Sequence, residues 1–170
     1  MLNLVKNFVL TYNNPMSLEH KIIRKLSAKR KTLAVAESCT GGLLANRLTD
    51  VPGSSKCFKF GLVVYSNTAK IKFLKVTPLT IKKHGAVSEP TALAMATGVR
   101  RQLKSDFGLS ITGIAGPTGG SLRKPVGLTY IAVATVKKTS CLKYQFRGSR
   151  QRVKSQAATQ ALKLLLKQIV

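Results

Sequence analysis

Apolar positions along the chain switch between short continuous runs and helical spacing, the pattern of strands and helices taken in turn. Leu18, Ile22, Ile23 and Leu26 recur at helical spacing behind the capping residue Ser17 and predict a first helix. The apolar run in Thr32–Ala36 predicts a buried strand. A helix over about Gly42–Leu48 follows and ends at the turn Val51-Pro52-Gly53. Phe58–Tyr65 predicts a second strand and Asn67–Leu74 a short helix. Thr77-Pro78 opens another helical turn with Thr77 as its cap, and Ser88-Glu89-Pro90 repeats that logic before a helix over Thr91–Lys104. Phe107–Thr112 reads as a strand that runs into the Gly-rich loop Gly113–Ser121. Val126–Val136 and Ser140–Phe146 predict a hairpin across Lys137-Lys138-Thr139. In Gln151–Val170, Val153, Ala157, Ala161, Leu164, Leu165 and Ile169 mark the apolar stripe of a terminal helix. Strand and helix alternate before the chain closes with paired strands. The prediction is an α/β fold, a three-layer α/β/α domain with a mixed, mostly parallel sheet. Residues 1–16, with the turn Asn13-Asn14-Pro15, read as an N-terminal extension to a single domain over 17–170.

Composition narrows this picture. A chain of 170 residues, 44% of them apolar, is large enough for one hydrophobic core and unlike a disordered chain. No apolar run is long enough to span a membrane. The start, Met1 to Leu10, lacks the long apolar core and small-residue cleavage site of a signal peptide. Cys39, Cys57 and Cys141 form neither a metal-binding spacing nor a disulfide framework, which fits a reducing cytoplasm. Lys and Arg number 29 against five acids, a net charge of +24. That balance favours anionic partners. Yet the basic residues are scattered through every segment, Trp is absent and no nucleic-acid-binding signature is present. Specific nucleic-acid recognition is therefore not expected, whereas a positive field draws in a phosphate-bearing small molecule.

The candidate chemistry gathers where predicted strands end. Ala36-Glu37-Ser38-Cys39-Thr40-Gly41-Gly42 puts a hydroxyl residue between a strand and a helix, beside glycines that let a substrate approach the backbone. Its plain reading is a strand–helix turn with a capping hydroxyl. A nucleophilic serine needs a base, and neither histidine offers one. His20 sits in a first helical turn, and His84 precedes Gly85 at a helix end. Five acids spread over the chain give thin support for a carboxylate pair. Lysine remains. Lys70 follows the strand end at Tyr65 by about one helical turn, either as an exposed helix lysine or as a base. Basicity at neutral pH would require desolvation or neighbouring positive charge to lower its pKa. Thr112 ends a strand just before the Gly113–Ser121 loop, whose N–H groups suit a phosphate or an oxyanion. The loop is neither a P-loop nor a dinucleotide fingerprint, and a purely structural role for it stays open. Cys39 is a rival nucleophile without a recognisable partner.

Together these segments resemble the CinA C-terminal domain family, the nicotinamide-nucleotide amidases. The matching pieces include Ala36–Gly42, Thr49–Ser55, Val64–Asn67 with Lys70, His84–Glu89, Thr112–Pro117, Gly119–Ser121 and Lys124–Gly127. The resemblance covers the chain from about residue 17 onward. It implies hydrolysis of the carboxamide of nicotinamide mononucleotide to nicotinate mononucleotide and ammonia, a step of pyridine nucleotide salvage. It also implies site roles. Ser38 is the nucleophile, Lys70 takes or orients its proton, Tyr65 assists proton transfer, and Thr112 holds the lysine. N–H groups over Cys39, Thr40 and Gly41 form the oxyanion hole, and Gly113, Gly116, Gly119, Gly120 and Ser121 shape the nucleotide pocket. Neither a metal nor another cofactor is required for acyl transfer of this kind. The expected partner is a pyridine nucleotide, the expected assembly a homo-oligomer. Leu122-Arg123 departs from the acidic residues often found in the family before Lys-Pro-Val-Gly. The pyrophosphatase domain of full-length members is outside the matched segments. A non-catalytic nucleotide-binding or competence-related module is the alternative.

Overall fold

A computed structural model describes residues 16–169, so the predicted extension and its turn at Asn13-Asn14-Pro15 lie outside the described residues. The elements run α1 (Leu18–Ala28), β1 (Leu33–Glu37), α2 (Leu43–Thr49), β2 (Phe58–Val63), α3 (Asn67–Leu74), α4 (Pro78–His84), α5 (Glu89–Gln102), β3 (Phe107–Gly113), β4 (Leu128–Ala134), β5 (Thr139–Gln145) and α6 (Arg150–Gln168). The strands form one sheet in the order β2-β1-β3-β4-β5. β1 pairs in parallel with β2 and β3, β4 is antiparallel to β3, and β5 is antiparallel to β4. Four strands thus point one way and β4 alone is reversed. α1, α2 and α6 pack together on one face, α6 against β3 and β4. α5 crosses the other face with α3 and α4 beside it. The expected three layers are present. No helix of the described residues is long and apolar enough to cross a membrane.

Strand alternation sorts the two faces by size. Leu33, Val35, Leu109, Ile111, Ile131 and Val133 point into the core beneath α1, α2 and α6. Ala34 and Ala36, with Ala132 and Ala134, face the α5 side. On this small-residue face the helix comes in close. Ser110 Oγ donates to Ala92 O at 2.7 Å. A Cβ on Gly108 would stand 2.2 Å from Ala96 O, and one on Gly98 would stand 2.1 Å from Leu74 O. Gly98→Ala should therefore destabilise the protein, although alanine in a helix interior normally gains about 1 kcal/mol over glycine. The overpacking cost is on the order of 1–3 kcal/mol. Urea denaturation checks the sign, through a lower midpoint at unchanged slope.

Element boundaries shift from the sequence reading by one or two residues at informative places. β1 runs on through Glu37, which pairs with Val63 and Ile111. β2 stops at Val63, leaving Tyr65 beyond it. β4 begins only at Leu128, after Gly127 at φ +91°. α5 starts at Glu89 with Ser88 accepting from Thr91 N, and α6 starts at Arg150 with Ser149 accepting from Arg152 N. The carboxyl ends of β1, β2 and β3, the start of β4 and the end of β5 share one sheet edge. In an open α/β sheet that edge is where ligands bind.

Candidate active site

Alternation along β1 decides which way its last residues face. Leu33 and Val35 share a face with Glu37, while Ala34 and Ala36 share one with Ser38. Ser38 therefore turns toward α3, and Lys70 of α3 meets it. Lys70 Nζ lies 3.0 Å from Ser38 Oγ, 2.9 Å from Val64 O and 3.4 Å from Tyr65 O. The lysine is 1% exposed and is the largest fully buried side chain among those described. No carboxylate pairs with it among the described residues. Burial holds its pKa below the ordinary lysine value, opposed by the charge of an ionised Cys39. The exposed-lysine reading is thereby set aside. In its neutral form the amine could give its two protons to these carbonyls and turn its lone pair to the serine hydroxyl, the arrangement a general base needs.

Neither Ser38 nor Thr40 caps α2. Its N-cap is Gly42, at φ +96°, which offers no side chain. The capping is done by Glu37, a residue the sequence reading passed over. Its buried carboxylate accepts from Gly42 N at 3.0 Å, Leu44 N at 3.1 Å and Ala45 N at 2.8 Å. Negative charge at a helix N-terminus is stabilising, and here it also leaves the Ser38 hydroxyl free. An acid placed one residue before the hydroxyl in an otherwise apolar strand was the available signal. Ser38 itself is held in line by its N–H, which donates to Ile111 O at 3.0 Å, and Gly41 N closes the turn onto Ser38 O at 3.2 Å. The N–H groups of Cys39 and Thr40 have no acceptor among the described residues. Thr40 is buried and its Oγ1 is without a hydrogen-bond partner there. Burial, reinforced by the Glu37 charge, pushes the Cys39 thiol up to about 11, so at neutral pH it is not a thiolate.

Two expected partners stand differently from the sequence reading. Thr112 does not hold the lysine: its hydroxyl donates to Ala86 O at 2.8 Å. The reason is topological, since β1 lies between β3 and β2 and the segment after α4 packs over the end of β3. Tyr65 contributes its carbonyl to Lys70, while its phenol is exposed and accepts from Arg150 Nη2 at 2.9 Å. Arg150 also donates to Gly116 O at 2.7 Å, tying the Gly-rich loop to the end of β2. Arg150 was missed, although its signal was present: an arginine in the first turn of a helix opposes the macrodipole. Within the loop, Gly113 continues β3, and Gly116 and Gly120 back onto Val126, where a Cβ would come within 2.4 Å and 2.8 Å respectively. Gly119 and Ser121 lie exposed on the rim of a depression of about 440 Å³. His20 is engaged with Ser17, and His84 is exposed at the end of α4.

A family described as the CinA C-terminal domain matches residues 15–169. A CinA-like protein of Syntrophus aciditrophicus is 53% identical over 154 residues, which cover 88% of this chain and 37% of that protein. A CinA-like protein of Acidobacterium capsulatum is 46% identical over 162 residues, covering 95% of this chain and 39% of that protein. The chain thus spans less than two fifths of the length of these curated relatives. Among solved structures, the competence/damage inducible protein CihA from Agrobacterium tumefaciens superposes with a TM-score of 0.87 at 37% identity, covering 88% of this chain and 92% of its own. A competence or damage-inducible protein from Enterobacter asburiae gives 0.88 at 34% identity, covering 93% of this chain and all of its own.

Proposed function

We propose, for a chain that belongs to the CinA C-terminal domain family, a serine amidohydrolase activity that converts nicotinamide mononucleotide to nicotinate mononucleotide and ammonia. The observation that carries this reading is a buried, carboxylate-free amine 3.0 Å from the hydroxyl of Ser38. Ser38 Oγ attacks the carboxamide carbon as its proton passes to Lys70 Nζ. The oxyanion is taken by the N–H groups of Cys39 and Thr40, which have no backbone acceptor among the described residues. The Lys70 ammonium returns the proton to the amide nitrogen, the C–N bond breaks and ammonia leaves. The nicotinoyl ester on Ser38 is then attacked by water, which gives one proton to Lys70 as it adds. Return of that proton to Ser38 Oγ frees the acid product and restores the enzyme. Tyr65 and Arg150 stand at the mouth of this site rather than in the proton path.

Purified protein incubated with nicotinamide mononucleotide should release ammonia and nicotinate mononucleotide in equal amounts, followed by a coupled ammonia assay and by chromatography. Binding of the nucleotide without turnover would sink the enzyme reading. It would favour the second one, a non-catalytic nucleotide-binding or competence-related module, the latter being the sense in which the structural relatives are named. In that case Lys70→Ala would leave ligand affinity intact with no chemistry to lose.

A further inference from the structure

The substrate proposed above carries a phosphate that its reacting carboxamide does not touch, and the site described so far leaves that phosphate without a cation. The helix N-terminus nearest Ser38 is closed to it, because the Glu37 carboxylate already occupies the N–H groups of Gly42, Leu44 and Ala45. At the start of α6, Ser149 already takes Arg152 N. A side-chain cation is the strong partner for a dianion, and several around the site already have contacts of their own. Arg150 is held by Gly116 O and the Tyr65 phenol. Lys124 Nζ donates to His84 O at 2.6 Å. Arg47 donates to Glu19 Oε1 at 2.7 Å and to Thr159 Oγ1 at 2.8 Å.

Lys154 differs from all of these. It follows Arg150 by four residues, which places both on one face of α6. The buried residues Val153 and Ala157 pin the turn that carries it. Its amine reaches over the nucleophile turn, 3.6 Å from where a Cβ on Gly41 would lie. It is half-buried, and it makes neither a hydrogen bond nor an ion pair among the described residues. It lines a groove of about 420 Å³ between α2 and α6, together with Leu43, Arg47, Gln151, Ser155 and Thr159. Holding an unpaired ammonium half out of water beside a partly polar groove is electrostatically unfavourable, and an arriving dianion removes that cost.

We infer that the groove between α2 and α6 is the phosphate subsite of this enzyme, with Lys154 as the cation that binds the 5′-phosphate of the substrate nucleotide. The inference rests on the amidase reading, with Gln151 and Ser155 supplying neutral donors at its rim. The Gly113–Ser121 loop then covers the nucleotide without carrying its charge.

The test compares Lys154→Met with Lys163→Met, which removes the same charge from the same helix about 13 Å further along its axis at 1.5 Å per residue. Losing a charge-assisted contact should raise KM for nicotinamide mononucleotide roughly 10- to 100-fold in Lys154→Met, with kcat nearly unchanged. Lys163→Met should stay within about twofold of wild type, since removing a remote exposed charge changes little. Activity on the phosphate-free nucleoside, nicotinamide riboside, should not differ between Lys154→Met and wild type. Ribose 5-phosphate, titrated by calorimetry, gives a readout independent of turnover: it should bind wild type and lose affinity in Lys154→Met. Turnover by wild type with equal KM in all three proteins overturns the subsite and leaves the amidase reading standing. So does a rise in KM confined to Arg123→Met, which would place the phosphate on the Gly-rich loop. Lys154-dependent binding of ribose 5-phosphate by a protein that turns nothing over supports the subsite and overturns the amidase reading instead.

Discussion

Replacing Ser38 by alanine is expected to cut ammonia release from nicotinamide mononucleotide by about 10⁴-fold or more, the scale at which a covalent nucleophile acting with its base is lost as a unit. The fold should survive, because the serine is held by its backbone N–H on Ile111 O and caps no helix. Nucleotide affinity should survive as well, since the hydroxyl that is removed meets the reacting carbon and not the phosphate. The adjacent Cys39→Ala sharpens the test. Its thiol is buried and pushed up to about 11, so its loss should leave turnover within a few-fold of wild type. If Cys39→Ala were the dead variant and Ser38→Ala the active one, the assignment of the nucleophile would be reversed.

Lys70→Arg and Lys70→Met should each abolish turnover as thoroughly as Ser38→Ala. A guanidinium keeps the charge but does not give up its proton at any working pH, and a thioether is no base. In wild type, kcat/KM should climb with pH through the Lys70 pKa, which burial holds below the ordinary lysine value, and the climbing limb should vanish in both variants. Stability offers an independent reading of the same group. A lysine whose folded pKa is depressed binds more protons in the unfolded chain between the folded pKa and the ordinary value of about 10.4. The stability contributed by the neutral amine is therefore full above that ordinary value and is lost as pH falls through the folded one. Denaturation of wild type and Lys70→Met at pH steps from about 7 to about 10 should show wild type gaining on the variant as pH rises. A pH-independent difference would mean that the lysine keeps its ordinary pKa in the fold.

The parts of this site that were legible in the sequence are those fixed by local pattern. Ser38 could be placed because an apolar run breaks into a hydroxyl and two glycines. The helix carrying Lys70 could be drawn correctly at Asn67–Leu74 because local caps and spacing suffice for it. Burial of Lys70 was not legible, because it depends on the carbonyls of Val64 and Tyr65 closing over an amine that by composition belongs in water. Glu37 was hidden by a one-residue error in strand length: ending β1 at Ala36 makes the acid a loop residue, while extending it through Glu37 turns the carboxylate under α2. Arg150 was hidden in the same way, by starting α6 one residue late. Thr112 was placed on the correct strand end, but its partner Ala86 is 26 residues away, and no local pattern reports that contact. Helix ends and strand parity, rather than element type, were thus what separated a motif from a mechanism.

The two carbonyls that hold Lys70 have a consequence for how this machinery looks to genetics. In hydrolases with a histidine base, the third member of the relay is a side chain, so substitution reveals it. In the mechanism proposed for this chain that member is the main chain at Val64 and Tyr65, whose carbonyls side-chain replacement leaves in place. A scan that swaps side chains one at a time would therefore count two working parts in a device that has three. The third is written into the path of the backbone, where point mutation has little grip on it and where drift in the residues at 64 and 65 could pass without disarming the base.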